Sequence, residues 1–157
     1  MRVVIYYIVA LLVVLVDQWT KWKVVEAMEI GEKIPLIDGY LALLSHRNSG
    51  AAWGMLEGKM TFFYVITFLV VGGLLVYFHK EAKGDRLLSW SIMFIVGGAI
   101  GNFIDRVRLG EVVDFISVYI PVIQYNFPIF NVADAALTIG VLFMLIHTFI
   151  DDKTKEK

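Results

Sequence analysis

Four long apolar runs constrain this chain more than any other feature. They are Val3 to Val16, Met60 to Phe78, Leu87 to Ile104 and Ala135 to Ile150, each closed by a charged or histidine residue. A helix that crosses a bilayer needs about 20 mainly apolar residues, with a range of roughly 17 to 25. The second and third runs meet that length alone, and the first and fourth meet it with a few polar flanking residues. Composition agrees, since 59% of the 157 residues are hydrophobic and the mean hydropathy is +0.72. Soluble domains rarely carry apolar runs of this length. The chain therefore reads as an all-α membrane protein with spans at about 3–21, 60–78, 87–104 and 132–150. Arg2 before an apolar stretch resembles a signal peptide, but Asp17-Gln18-Trp19-Thr20-Lys21 follows with no small-residue cleavage site, and the run reads as a retained first span.

Four spans place both termini on one side. Arg2, the turn 79–86 and the tail 151–157 share it, and the long connections 22–59 and 105–131 lie opposite. One membrane domain, 1–157, accounts for the whole chain. Each side carries seven Lys or Arg, so counting positive charges leaves orientation tied. The compact basic turn and tail favour cytoplasmic termini. Gly97-Gly98-Ala99-Ile100-Gly101 would weaken a soluble helix, but in a membrane such small residues let helices approach. Segments such as YLALLSHR in the first connection alternate as short strands do.

The unusual polar residues all fall on the side away from the termini. Asp17 ends the first span there, and Asn102, Asp105 and Arg106 end the third. Asp114 lies in the second connection, while Asn131 and Asp134 open the fourth span. Each has a plain alternative. Asp17 with Lys21 is also an ordinary i,i+4 pair. Asp105-Arg106 reads as a charge pair at a span boundary, and Asn131 or Asp134 fits a helix cap. Asn102 could serve helix packing through hydrogen bonds. Asp114 resists such a reading, because VVDF is neither cap nor turn and no cation is near it in sequence.

Composition and motif exclude several chemistries. The chain has no cysteine, so it has no thiolate nucleophile or Cys-ligated metal. A net charge of −1 gives no argument for nucleic acid. Span counting separates His46 from His79 and His147 by a bilayer core of about 30 Å. There is no HExxH, no GxSxG and no Gly-rich phosphate loop, so neither metal nor cofactor is called for. A Ser–Lys pair built from Ser45 or Ser49 with Lys21 has no spacing support. Two carboxylates in apolar surroundings fit aspartyl chemistry, in which a close pair shares one proton and activates water. A small carboxylate-bearing transporter or ion pathway is the alternative. It calls for acidic groups at mid-membrane with access from both faces, whereas the acids here cluster at one face.

The ordered set DQWTK (17–21), HRNSGAAWG (46–54), GGAIGNFIDR (97–106), GEVVDF (110–115) and PIFNVAD (128–134) resembles the bacterial lipoprotein signal peptidases, the type II signal peptidases. The resemblance covers nearly the whole chain. It implies a four-span inner-membrane aspartyl endopeptidase that removes the signal peptide from prolipoproteins, cutting before a diacylglyceryl-modified cysteine, and that globomycin inhibits. It implies that Asp114 and Asp134 are the catalytic dyad on the extracytoplasmic side. Asp17, Lys21, Asn48, Gly50, Asn102, Asp105, Arg106 and Asn131 would support the site or bind substrate. It further implies a small extracytoplasmic sheet from the first connection that cradles substrate, and a short helical lid from the second. Where the family often has Ala-Ala-Phe, this chain has Ala51-Ala52-Trp53, which bears on substrate fit.

Overall fold

The computed structural model describes residues 2–50 and 55–155. The motif residues Ala51, Ala52 and Trp53 fall outside the described residues. Four long helices dominate: α1 (Arg2–Ala27), α2 (Met60–Lys80), α3 (Arg86–Leu109) and α4 (Val132–Lys155). All four are long and apolar enough to cross a membrane. Over its most apolar stretch α3 is 61% buried, against 17%, 11% and 17% for α1, α2 and α4. It is the central post, and the others present apolar faces outward, as helices in lipid do.

The close approach to α3 follows from its glycines. A Cβ on Gly98 would collide with the carbonyl oxygen of Ala133 and lie 2.9 Å from Cγ of Leu137, both on α4. Helix association in lipid draws on packing and hydrogen bonds, because burial of apolar surface gains little against acyl chains. The Ser91 hydroxyl accordingly donates to the Gly140 carbonyl at 2.7 Å, tying α3 to α4. At the termini end, Tyr6, Phe78, Leu88, Ile92 and Met93 form a compact core. There Asp85 caps α3 by accepting from the Leu88 N–H at 2.9 Å, and its other oxygen lies 3.0 Å from His147 on α4.

The opposite end carries a four-stranded antiparallel sheet in the order β1 (Lys33–Ile37), β2 (Leu41–Asn48), β3 (Val112–Ile120), β4 (Tyr125–Asn126). Its β2–β3 register sets His46 opposite Asp114 and Asn48 opposite Val112. Val113 and Phe115 pack on Val24 and Met28, at the end of α1. Gly110, with φ +74°, takes the left-handed conformation that ends α3 and turns the chain into β3. Four helices with a small sheet agree with the fold expected from sequence, and several details differ. The first helix runs six residues past 21, because residues 22–27 continue it and pack on the sheet. The third runs to Leu109, so Asp105 and Arg106 sit on its last turns and not in a loop. The sheet draws on both connections, and its longest strand comes from the second; the short helical piece there is the turn Pro121–Ile123 between β3 and β4.

This packing makes a direct test of the central post. Gly98→Ala should destabilise the protein by roughly 1–3 kcal/mol, the usual cost of overpacking. Gly72→Ala on α2, whose added Cβ meets nothing within 4 Å, should be neutral or slightly stabilising. Thermal unfolding in detergent distinguishes them, and equal Tm values would contradict the packing.

Candidate active site

Where α1, α3, β3 and the start of α4 meet, a set of polar side chains is buried together. Lys21 lies at its base with 2% of its surface exposed, and Asp17 and Asp105 are 0% and 3% exposed. Lys21 Nζ is 2.9 Å from Asp17 Oδ2 and 3.0 Å from Asp105 Oδ2, and it donates to Asn102 Oδ1 at 2.8 Å. An ammonium has three protons and no acceptor, so these three oxygens satisfy it. Removing such charges from water costs several kcal/mol per ion unless they are paired and hydrogen-bonded. Here they are. Asp17 and Lys21 are therefore a buried i,i+4 pair and not an exposed one. Asp105 pairs with Lys21 across the helix interface, in place of an ion pair with its neighbour Arg106.

The two aspartates also reach the backbone on either side of the site, Asp17 with its second oxygen and Asp105 with the oxygen that holds Lys21. Asp17 Oδ1 accepts from the Ala133 N–H at 2.9 Å, and Asp105 Oδ2 from the Val113 N–H at 3.1 Å. Ala133 precedes Asp134, and Val113 precedes Asp114. Space for Asp17 depends on Gly101, where a Cβ would lie 2.6 Å from Asp17 Oδ2. Gln18, which sequence reasoning did not single out, donates to Asp105 Oδ1 at 2.8 Å and to the Gly101 carbonyl at 3.1 Å. Its place inside DQWTK was the available signal.

Asp114 and Asp134 come together above this base, one from a strand and one from a helix. Asn131 joins them and caps α4 at the same time. Its Oδ1 accepts from the Asp134 N–H at 2.9 Å, and the Asp134 Oδ2 accepts from the Asn131 N–H at 3.1 Å. This reciprocal pair is a capping box made from Asn and Asp. The Asn131 Nδ2 donates to Asp114 Oδ1 at 2.6 Å. Asn102 donates to Asp134 Oδ1 at 2.7 Å, and Asn48 to Asp114 Oδ2 at 2.9 Å. The sequence offered a choice between cap and site for Asn131 and Asp134, and in the structure the cap itself lies within the polar cluster.

Each carboxylate thus receives two N–H donors, one per oxygen. Asp114 is 2% exposed. Burial is the main cause that pushes its carboxyl up to about 6, and the neighbouring Asp134 charge adds to it; the donors Asn48 and Asn131 pull the other way. Both carboxylates line a cavity of about 720 Å³, together with Asn48, Asn102 and Arg106. Phe127, Ile129, Leu137 and Ile139 give it an apolar wall. Arg106 donates to the Gly50 carbonyl at 3.0 Å, and its guanidinium lies 4.3 Å from the Phe63 ring centre. Gly50 in turn donates its N–H to Asn48 Oδ1 at 3.0 Å. All ten residues singled out from sequence as catalytic or supporting fall within this one connected set. Phe63 and Tyr64, whose hydroxyl donates to the Arg106 carbonyl at 2.9 Å, were missed, since α2 reads as uniformly apolar. Among the described residues, no three His, Asp or Glu side chains gather in a way that could hold a metal ion.

The chain can be compared with known proteins at this point. Residues 9–150 match the model of the family described as signal peptidase II, peptidase family A8. A lipoprotein signal peptidase from Halalkalibacterium halodurans is 58% identical over 153 residues, covering 98% of this chain and 97% of that protein. One from Anoxybacillus flavithermus is 52% identical over 154 residues, covering 98% and 90%. Among solved structures, a bacterial membrane enzyme determined by the in meso method at 2.3 Å superposes with a TM-score of 0.90 at 45% identity, covering 97% of this chain and 91% of that one. Another, at 1.9 Å, gives a TM-score of 0.83 at the same identity, covering 91% of each. With its four span-length helices, its sheet and a match along nearly its full length, the chain belongs to the signal peptidase II family and is an aspartic peptidase of that family.

Proposed function

We propose that Asp114 and Asp134 are the catalytic dyad, and that the protein cuts diacylglyceryl-modified prolipoproteins on the N-terminal side of the modified cysteine. The observation that carries this reading is the convergence of two carboxylates from separate elements on one largely apolar cavity. Like charges held close cannot both ionise, so the pair shares a proton. Asp114, the more deeply buried member, is assigned that proton, and Asp134 is the base. Asp134 takes a proton from water as the water oxygen bonds to the scissile carbonyl carbon. Asp114 gives its proton to the carbonyl oxygen, forming a neutral gem-diol. Collapse of the gem-diol breaks the C–N bond, the leaving nitrogen takes a proton from Asp134, and a hydroxyl proton returns to Asp114. The other buried residues hold these two in register, and Arg106 with Gly50 borders the path of the substrate backbone.

The substrate's lipid has a physical part in this scheme. Each buried CH₂ contributes about 0.8 kcal/mol, so two acyl chains left in the bilayer fix the depth of the cysteine without tight peptide contacts. The site then faces the extracytoplasmic side of the inner membrane, with both termini cytoplasmic, and globomycin-type inhibitors occupy the same cavity. Purified protein should cleave the diacylglyceryl precursor and cut the unmodified one far more slowly, because the anchor that sets register is missing. A gel-shift comparison in detergent tests this, and equal rates would overturn it.

The dyad itself is tested by Asp114→Asn and Asp134→Asn. Each should nearly abolish turnover, and the double variant should lose little more, since groups that act as a unit are non-additive. Substantial turnover by folded Asp114→Asn protein would refute the assignment.

The pH profile gives an independent reading. An acid whose pKa is raised keeps its proton to higher pH, and the dyad fails when that proton is lost. With Asp114 up to about 6, kcat/KM should fall as pH rises through about 6. Asn48 donates to the ionised form and lowers the value, so Asn48→Ala should move this alkaline limb to higher pH by up to about one unit. A limb that stays in place or moves down would contradict the role of Asn48.

A further inference from the structure

We propose that Lys21 is a positioning residue for the dyad, acting by fixing which way round the Asn102 amide sits. The proposal rests on the dyad reading above. Asn102 Oδ1 accepts from Lys21 Nζ at 2.8 Å and from Asn131 Nδ2 at 3.1 Å. Its Nδ2 donates to Asp134 Oδ1 at 2.7 Å. An amide can turn over and exchange oxygen for nitrogen at almost no change in shape. Turned over here, it would point N–H donors at an ammonium and at another amide donor, and set its oxygen against the Asp134 carboxylate. Lys21 forbids that state, because all three of its protons need acceptors and the third is Asn102 Oδ1.

The geometry reaches further than one hydrogen bond. With Asn102 locked, the Asn131 side chain has its own Nδ2 directed to Asn102 Oδ1 and Asp114 Oδ1. One ammonium, which touches neither carboxylate of the dyad, therefore fixes the amide donor on Asp134 Oδ1 and supports the one on Asp114 Oδ1. Lys21 is held in turn by Asp17 and Asp105 at 2.9 and 3.0 Å. Those two also hold the backbone N–H groups of Ala133 and Val113, so the cluster has a structural duty separable from the orienting one.

The separation is the test. Lys21→Met removes the orienting donor but strands two buried carboxylates, and loss of activity there has two explanations. The triple variant Asp17→Asn/Lys21→Met/Asp105→Asn removes the charges together and keeps oxygen acceptors for Ala133 and Val113. Its Tm should return close to that of the unaltered protein, while kcat on the diacylglyceryl precursor stays about 10²-fold down, the scale of a small misplacement in a site, and KM changes less than about 3-fold. Recovery of kcat to within about 3-fold would overturn the proposal. A double-mutant cycle adds a second reading. Asn102→Ala added to that triple variant should lose no more kcat than Asn102→Ala alone, and multiplicative losses would overturn the proposal equally. Failure of the unaltered protein to cut the lipidated precursor would refute the dyad reading instead, which keeps the two failures distinct.

Discussion

Charge buried without water must be balanced by its neighbours, and the Lys21 ammonium between Asp17 and Asp105 is where this protein meets that demand. The three come from α1 and α3, and the two carboxylates also accept from the backbone of the residue before each proposed catalytic aspartate. The first turn of α4 and the start of β3 are thereby fixed to the helical bundle by ionised groups. Such charge-assisted bonds are roughly twice as strong as neutral ones. Loss of one partner would leave the other charges unpaired, a penalty of about 3–5 kcal/mol. The arrangement trades robustness for a single geometry, which suits a site whose two proposed reacting groups arrive from different elements.

The packing below serves the same end. Glycine at 98 and 101 brings α3 against α4 and makes room for the Asp17 carboxylate. The helical bundle is thus close-packed at the level where the polar cluster sits, and the cluster's distances inherit that closeness. Above it, the sheet is attached through Val113 and Phe115 on Val24 and Met28. Asp114 therefore stands on a strand whose two faces have different tasks: Val113 and Phe115 bury apolar surface on α1, and Asp114 faces the cavity.

Much of this was legible in the sequence, for physical reasons that can be named. Long apolar runs leave few options other than spanning helices, so their number followed directly. Isolated polar residues at their ends stood out because each carries a desolvation cost that needs a reason. What the sequence concealed was partnership. Asp105 beside Arg106 looked like a local ion pair, yet helical geometry sends consecutive side chains about 100° apart, and Asp105 meets Lys21 from another helix. The second connection hid its long strand because VVDFISVYI is continuously apolar apart from Asp114 and Ser117, without the alternation that marks a half-exposed strand. Residues 22–27 hid their helix because their polarity marked the end of the apolar run, whereas the helix itself continues to dock on the sheet. Phe63 and Tyr64 cannot be told from lipid-facing residues without Arg106, whose guanidinium lies over the Phe63 ring and whose carbonyl accepts from the Tyr64 hydroxyl.

The depth of the charged cluster has one more consequence. Mobile ions weaken interactions between exposed charges over about 8 Å at physiological salt, but they reach buried pairs far less. Lys21, Asp17, Asp105 and Asp114 are all nearly inaccessible, and the amide donors around the dyad carry no net charge to attract counterions. The electrostatic character of the proposed site is therefore set from within, and it persists whether the medium bathing that face of the membrane is dilute or strongly saline.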